Sequence, residues 1–331
     1  MWTVRLATCF VPFVLATTPA FAEPPIGVQF HGTWTNYSAS ERNQVLDTLQ
    51  ANNVHTVRID VSWAMLQPDG PTISPWGLAK IDTAVAEARA HGMTPLLTLW
   101  LTPQWASAGP YNERNAPTTI RGLQAWRAIC QFVATRYPDA SLELWNEPND
   151  TDFLANSTPQ RYAALLRYGY DGVNHRVPVV FGGTSYVDDE FVRAVCAAGG
   201  SKSFDILGVN PYMGVADEPP DLPDNGTKYR LNHLPNMIKV LRDYGRPNTP
   251  IWFTEFGWPV RPDGPTNWTR GVTPSQQTDY LRRTVKLVQS KYPTVRRMYW
   301  YQDRADCQCA ASGYGLVFPN GTATPTLRVM Q

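Results

Sequence analysis

Short apolar runs alternate with longer stretches in which apolar residues recur every three or four positions, and this alternation persists almost to the end of the chain. The short runs predict strands at residues 26–30, 54–61, 94–101, 142–145, 177–181, 204–209, 251–254 and 297–301. The amphipathic stretches predict helices at 40–51, 76–90, 120–136, 160–173, 188–198, 229–244 and 275–291, with a last short one at 326–331. Ser74-Pro75, Thr158-Pro159 and Thr273-Pro274 each supply a capping hydroxyl followed by a proline suited to a first helical turn. Eight strands alternating with helices imply parallel pairing and, at this number, a single closed (β/α)₈ TIM barrel. An open doubly wound sheet is the competing architecture, but no Gly-rich phosphate loop follows the first strand.

The connections are lopsided. Helix-to-strand links are short, as at Asn52-Asn53 and His91-Gly92-Met93, whereas the strand-to-helix links at 62–74, 102–117, 210–228 and 256–273 are long. In a barrel the long loops gather at the carboxyl ends of the strands, the face where sites of this architecture are built.

Composition narrows the picture. Residues 1–22 read as a signal peptide: Arg5 precedes an apolar run from Leu6 to about Leu15, and Ala20-Phe21-Ala22 suits cleavage. The run is too short for a membrane helix, and no later stretch is long enough to span one. The expectation is a secreted or extracytoplasmic chain whose folded domain covers 23–331, free of the membrane once the signal is cleaved. The 29 Lys and Arg and 28 Asp and Glu balance once Arg5 is set aside, with no basic arm, so nucleic acid is not an expected partner. Cys130 and Cys196 lie in helical patterns and read as buried thiols. Cys307-Gln308-Cys309 reads as a loop with a local disulfide, metal binding being the alternative.

Two strings carry chemistry. Trp145-Asn146-Glu147-Pro148-Asn149 ends the fourth predicted strand, and Trp252-Phe253-Thr254-Glu255-Phe256-Gly257-Trp258 ends the seventh. Each places one glutamate at a strand end beside tryptophans. Two carboxylates converging among aromatic rings suit glycosidic cleavage, where one protonates the leaving oxygen and the other attacks or activates water.

These residues resemble the clan A glycoside hydrolases. The segments Thr56-Val57-Arg58-Ile59-Asp60-Val61-Ser62-Trp63, Thr98-Leu99-Trp100-Leu101-Thr102-Pro103-Gln104-Trp105, Asn210-Pro211-Tyr212 and Gly315-Leu316-Val317-Phe318 look most like family 39 and its relatives. The resemblance implies a retaining mechanism with Glu147 as acid/base and Glu255 as nucleophile, a pair separated by about 5–5.5 Å. It implies a hydrogen bond from Asn146 to the sugar 2-hydroxyl. Many clan A relatives have a histidine where this chain has Asn210.

Glu255 needs donors, and Arg58 and Tyr212 are the candidates; Arg58 could instead neutralise Asp60. Trp105 and Trp258, like Trp63 and Trp100, lie at or past strand ends, where a ring either joins the core or lines a cleft. Trp300 on the eighth strand is the expected platform beneath the scissile sugar, and His31 after the first strand is a further substrate contact. The expected protein is a monomeric, secreted, retaining β-glycosidase of a polysaccharide or oligosaccharide, needing no cofactor or metal. Internal cleavage is the leading reading. Exo action of a β-xylosidase kind, transglycosylation and a non-catalytic carbohydrate-binding barrel are the alternatives.

Overall fold

The structure is a computed structural model describing residues 23–107, 110–261, 264–305 and 313–330. The expected signal segment and the Cys307–Cys309 pair lie outside the described residues.

Eight strands, β1 (Ile26–Gln29), β2 (Thr56–Ser62), β3 (Thr94–Trp100), β4 (Ser141–Leu144), β5 (Val179–Ser185), β6 (Ile206–Asn210), β7 (Ile251–Phe256) and β8 (Val295–Trp300), follow one another around a closed barrel. Every neighbouring pair is parallel, and β8 returns to β1. The helices are α1 (Ala39–Ala51), α2 (Trp63–Leu66), α3 (Pro75–Ala90), α4 (Ile120–Arg136), α5 (Pro159–Val173), α6 (Asp189–Val195), α7 (Leu234–Asp243) and α8 (Pro274–Lys291). The TIM barrel expected from the pattern is therefore the fold.

Local chemistry sets the helix starts. Ser74, Thr158 and Thr273 accept the backbone N–H groups of Gly77, Arg161 and Gln276, with proline in each first turn. Thr273 and Gln276 close a reciprocal capping box, as Ser38 and Glu41 do at α1. Two expected helices are shorter than their pattern. The 229–244 stretch opens with a 3₁₀ turn at Leu231–His233 before α7, because Pro235 fits only a first turn. The 188–198 stretch leaves α-geometry after Val195, in a wider turn that ends at left-handed Gly199. The final segment forms one 3₁₀ turn, Leu327–Val329.

Side chains alternate across each strand. Leu97, Phe181, Leu207, Phe253 and Met298 join the large core between sheet and helices. Their neighbours Leu96, Val180, Ile206, Trp252 and Tyr299 pack as a separate apolar cluster. Two residues further along three of these strands, on the same face, stand Thr98, Thr254 and Tyr301, and four residues beyond Ile206 stands Asn210. The barrel thus carries an apolar plug, and above it a polar layer at the carboxyl ends of the strands.

Candidate active site

The fourth strand ends abruptly. Trp145 and Glu147 both have positive φ (77° and 44°), a conformation that non-glycine residues adopt at a cost of order 1–3 kcal/mol. The surrounding structure fixes it: the Trp145 N–H donates to Leu99 and that of Glu147 to the Gly183 carbonyl, while the Asp150 N–H returns to the Glu147 carbonyl. The Trp145 indole turns into the core and donates to the Phe153 carbonyl. This turn delivers Asn146 and Glu147 to the mouth, both nearly buried.

Glu255 arrives from β7. Arg58 Nη1 donates to Glu255 Oε1 at 2.7 Å and Tyr212 Oη to Glu255 Oε2 at 3.2 Å. Arg58 is buried and fully engaged. It also reaches Glu143 Oε2 (2.7 Å), Gln29 Oε1 (2.7 Å) and Asn146 Oδ1 (2.9 Å). Its hydrogen-bonded carboxylates are Glu143 and Glu255; Asp60 feels its charge but accepts its hydrogen bond from Gln29 Nε2 at 3.1 Å. Glu143 was not singled out in the sequence. It lies at the centre of the layer, accepting from Thr98 Oγ1 (2.6 Å) and the Gly183 N–H (2.9 Å) as well as from Arg58. The signal was present: one charge inside the short apolar run Leu142-Glu143-Leu144.

Electrostatics separates the two mouth glutamates. Burial first, and the charge of Glu255 second, push Glu147 up to about 8; Asn210, whose Nδ2 donates to Oε1 at 3.0 Å, opposes the shift. Burial also raises Glu255, against the pull of Arg58 and the Tyr212 hydrogen bond. Glu255 therefore has a guanidinium and a phenol as donors where Glu147 has a neutral amide, so the proton shared by the pair resides on Glu147. Tyr212 holds its own proton, burial and the neighbouring Glu255 both raising it, and remains a donor.

Both glutamates line a cavity of about 1240 Å³, together with Asn146, Arg58, Tyr212 and His31. His31 Nδ1 lies 3.0 Å from Asp303 Oδ1, and the ring stacks on Trp34 with centroids 3.9 Å apart. Three expected contacts are not among the lining residues. Trp300 is fully buried on the helix-facing side of β8, packed on Phe256 and donating to the Tyr314 carbonyl. The next residue, Tyr301, takes the opposite face and lines the cavity. Trp258 is buried and donates to the Glu218 carbonyl; Trp105 packs on Trp63 and donates to Gln67. The rings that do line the cavity include Trp76 in the first turn of α3, Trp100 at the end of β3, and Trp34, Phe153 and Trp268 on loops whose paths the pattern does not give. Among the described residues no group of His, Cys, Asp or Glu is arranged to hold a metal ion, and no helix is long and apolar enough to cross a membrane.

Comparison with known proteins agrees with this geometry. Residues 19–174 match the model of the cellulase family, glycosyl hydrolase family 5. No curated protein matches the chain. Among solved structures, a family 39 glycoside hydrolase from the gut symbiont Bacteroides cellulosilyticus WH2 superposes with a TM-score of 0.72 at 21% identity. The alignment covers 93% of this chain and 63% of that one, so the chain spans less than two thirds of this relative. A GH5_18 protein from Bifidobacterium longum subsp. infantis gives 0.71 at 16% identity, covering 93% and 77%. A monomeric β-xylosidase from Caulobacter crescentus CB15 gives 0.64 at 18%, covering 94% and 67%. Fold and site are similar to those of the clan A glycoside hydrolases, a likeness the family 5 model carries over residues 19–174. Families 5 and 39 supply the relatives.

Proposed function

We propose that this glycoside hydrolase is a secreted, monomeric, retaining β-glycosidase that cleaves within a carbohydrate polymer. The observation that carries the reading is the unequal pair. Glu147, buried, has only a neutral amide as its donor, while Glu255 faces Arg58 and Tyr212 in the same cavity.

The steps follow from these positions. Glu147 gives its proton to the glycosidic oxygen as the C1–O bond breaks, its electron pair passing to that oxygen, and a Glu255 oxygen bonds to C1. The charge of Glu255 is then gone, so Glu147 loses part of what kept it protonated and can take a proton from water as that water attacks C1. Asn146 contributes through its amide. Arg58 cannot accept, so the atom it meets is Asn146 Oδ1, which leaves Nδ2 to donate to the sugar 2-hydroxyl. Tyr301, rather than Trp300, is the ring placed to pack against the sugar.

Cleavage within a chain is supported by the size of the cavity, larger than the usual 300–1,000 Å³ of a small-molecule site. It is also supported by indoles left open to solvent along it: Trp76, in the first turn of α3, is 57% exposed, and Trp268, on the loop after β7, is 51% exposed. Exposed rings of this kind suit stacking on sugars beyond the one being cleaved. The test is product sizing on xylan, glucan and mannan with protein starting at residue 23. Internal cleavage predicts that viscosity falls well ahead of reducing-end release, and that the new end appears first as the β-anomer. Trp76→Ala and Trp268→Ala are expected to raise KM for long chains by about two- to tenfold, from rings worth about 0.5–1.5 kcal/mol each, and to leave short aryl glycosides unchanged. Release of single sugars from one chain end, with no effect of either substitution, would instead favour exo action.

A further inference from the structure

Asn210 is fully buried at the end of β6, beside β7 and two strands from β4, and its amide makes contacts on both sides. Nδ2 lies 3.0 Å from Glu147 Oε1 and 3.4 Å from Asn146 Oδ1. Oδ1 accepts from the Thr254 hydroxyl at 2.7 Å. Thr254 is itself fully buried, on β7 immediately before Glu255, and is not among the residues lining the cavity.

Which end of an amide faces which partner is decided by the surrounding network, and here the donor-only Arg58 decides it, the Thr254 hydroxyl being able to suit either end. Arg58 has only donors, so the Asn146 atom it meets is an oxygen, and the Asn210 atom facing that oxygen must be the NH₂ group. At the other end Thr254 supplies a hydroxyl proton to Asn210 Oδ1. The backbone makes room for this arrangement. A Cβ on Gly183 would come within 2.1 Å of Thr254 Oγ1 and 2.3 Å of Asn210 Oδ1, so no other residue fits there without breaking the pair.

We propose that Thr254 and Asn210 act as an orientation relay for Glu147, fixing which of its two oxygens carries the proton to be donated. The proposal rests on the reading of Glu147 as acid/base. Oε1 accepts from the Asn210 amide, so it cannot also carry the proton along that contact. The proton is placed on Oε2, which has no hydrogen-bond partner among the described residues and belongs to a side chain lining the cavity. The same N–H serves both halves of the reaction. In the first, the proton leaves Oε2 for the glycosidic oxygen as the C1–O bond breaks. In the second, the Asn210 N–H steadies the Glu147 carboxylate while Oε2 takes a proton from water. An amide does this without titrating. The charged and titratable groups around Glu147 are otherwise Glu255 on β7, Arg58 on β2, Asp150 after β4, Tyr186 after β5 and Tyr212 after β6. None is altered by changing the relay.

Thr254 and Asn210 are thus positioning residues, and the readout is a pH profile rather than a rate alone. Asn210→Ala removes a donor to the ionised form, and Thr254→Val frees the amide to turn its oxygen towards Glu147. Both raise the pKa of Glu147. The alkaline limb of kcat/KM is expected to move to higher pH by about one unit, the equivalent of a single charge-assisted hydrogen bond. Rates on alkyl glycosides with poor leaving groups should fall about tenfold more than those on activated aryl glycosides. Thr254→Ser keeps the hydroxyl and should restore both, and melting curves of all variants control for folding. An unmoved limb in both Asn210→Ala and Thr254→Val, with all substrates slowed alike, overturns the relay. Full activity of Glu147→Gln on alkyl glycosides would overturn the underlying role of Glu147, a separate outcome read from a separate variant.

Discussion

A carboxylic acid that must hold a proton near neutrality needs surroundings that penalise its anion, and Glu147 has them. It is 6% exposed, faces another carboxylate, and accepts a hydrogen bond from an uncharged amide. Glu255 is hardly more exposed, but its oxygens meet Arg58 and Tyr212. The sign of the pH dependence follows. In the proposed role Glu147 must be protonated to act, so activity is expected to hold below about 8 and to be lost as pH rises through it. Glu255 must be ionised, so activity is lost as pH falls through its own raised value. A bell-shaped profile of kcat/KM on an alkyl glycoside is expected, and Glu147→Gln should abolish most of that activity. A profile flat well above pH 8 would remove Glu147 from the acid role. Both glutamates were legible in the sequence because each interrupts an apolar strand end beside tryptophan. Asn210 stood out there as a departure from a common histidine, but its contact with Glu147 depends on three strands meeting, which no local pattern records.

At the scale of the elements, register does the assembling. The pairing of β2 with β3 and of β3 with β4 sets Arg58 beside Leu96 and Thr98 beside Glu143, so that one buried cation spans the second, fourth and seventh strands. Removing it exposes the cost of the layer. Arg58→Met leaves Glu143 buried and unpaired, and should destabilise the protein by about 3–5 kcal/mol in denaturant unfolding. The double variant Arg58→Met with Glu143→Leu should recover much of that stability, yet stay poorly active because Glu255 has lost its cation. Recovery of activity along with stability would mean that Arg58 serves the fold alone. The same alternation explains a misplaced expectation. Trp300 and Tyr301 are adjacent on an extended chain and point to opposite faces, so shifting attention by one residue exchanges a core indole for a ring in the cavity. Glu143 escaped notice for a related reason: a short buried strand shows no clear alternation by which to mark its inward position.

Over the whole molecule, the barrel was readable because its parts are local: strand runs, Ser-Pro and Thr-Pro helix starts, and long loops on one side only. The cavity's aromatic lining was not, since Trp34 and Trp268 sit in loops whose course is set by long-range packing, and nothing local tells which way Trp76 at the start of α3 faces. What the barrel accomplishes is to bring together two glutamates that lie far apart in the chain and give them different surroundings, and that difference is the central claim. It is tested most directly by removing each carboxylate in turn and adding azide. Glu255→Ala cannot form the covalent intermediate, so azide entering the vacated space attacks the substrate directly and the product is the α-glycosyl azide. Glu147→Ala keeps the nucleophile. With an aryl glycoside bearing a good leaving group it forms the intermediate, stalls for want of a base, and is intercepted by azide with net retention to give the β-glycosyl azide. Opposite anomers from the two variants are the predicted result. The same anomer from both, or near-normal hydrolysis by Glu255→Ala, would contradict the assignment.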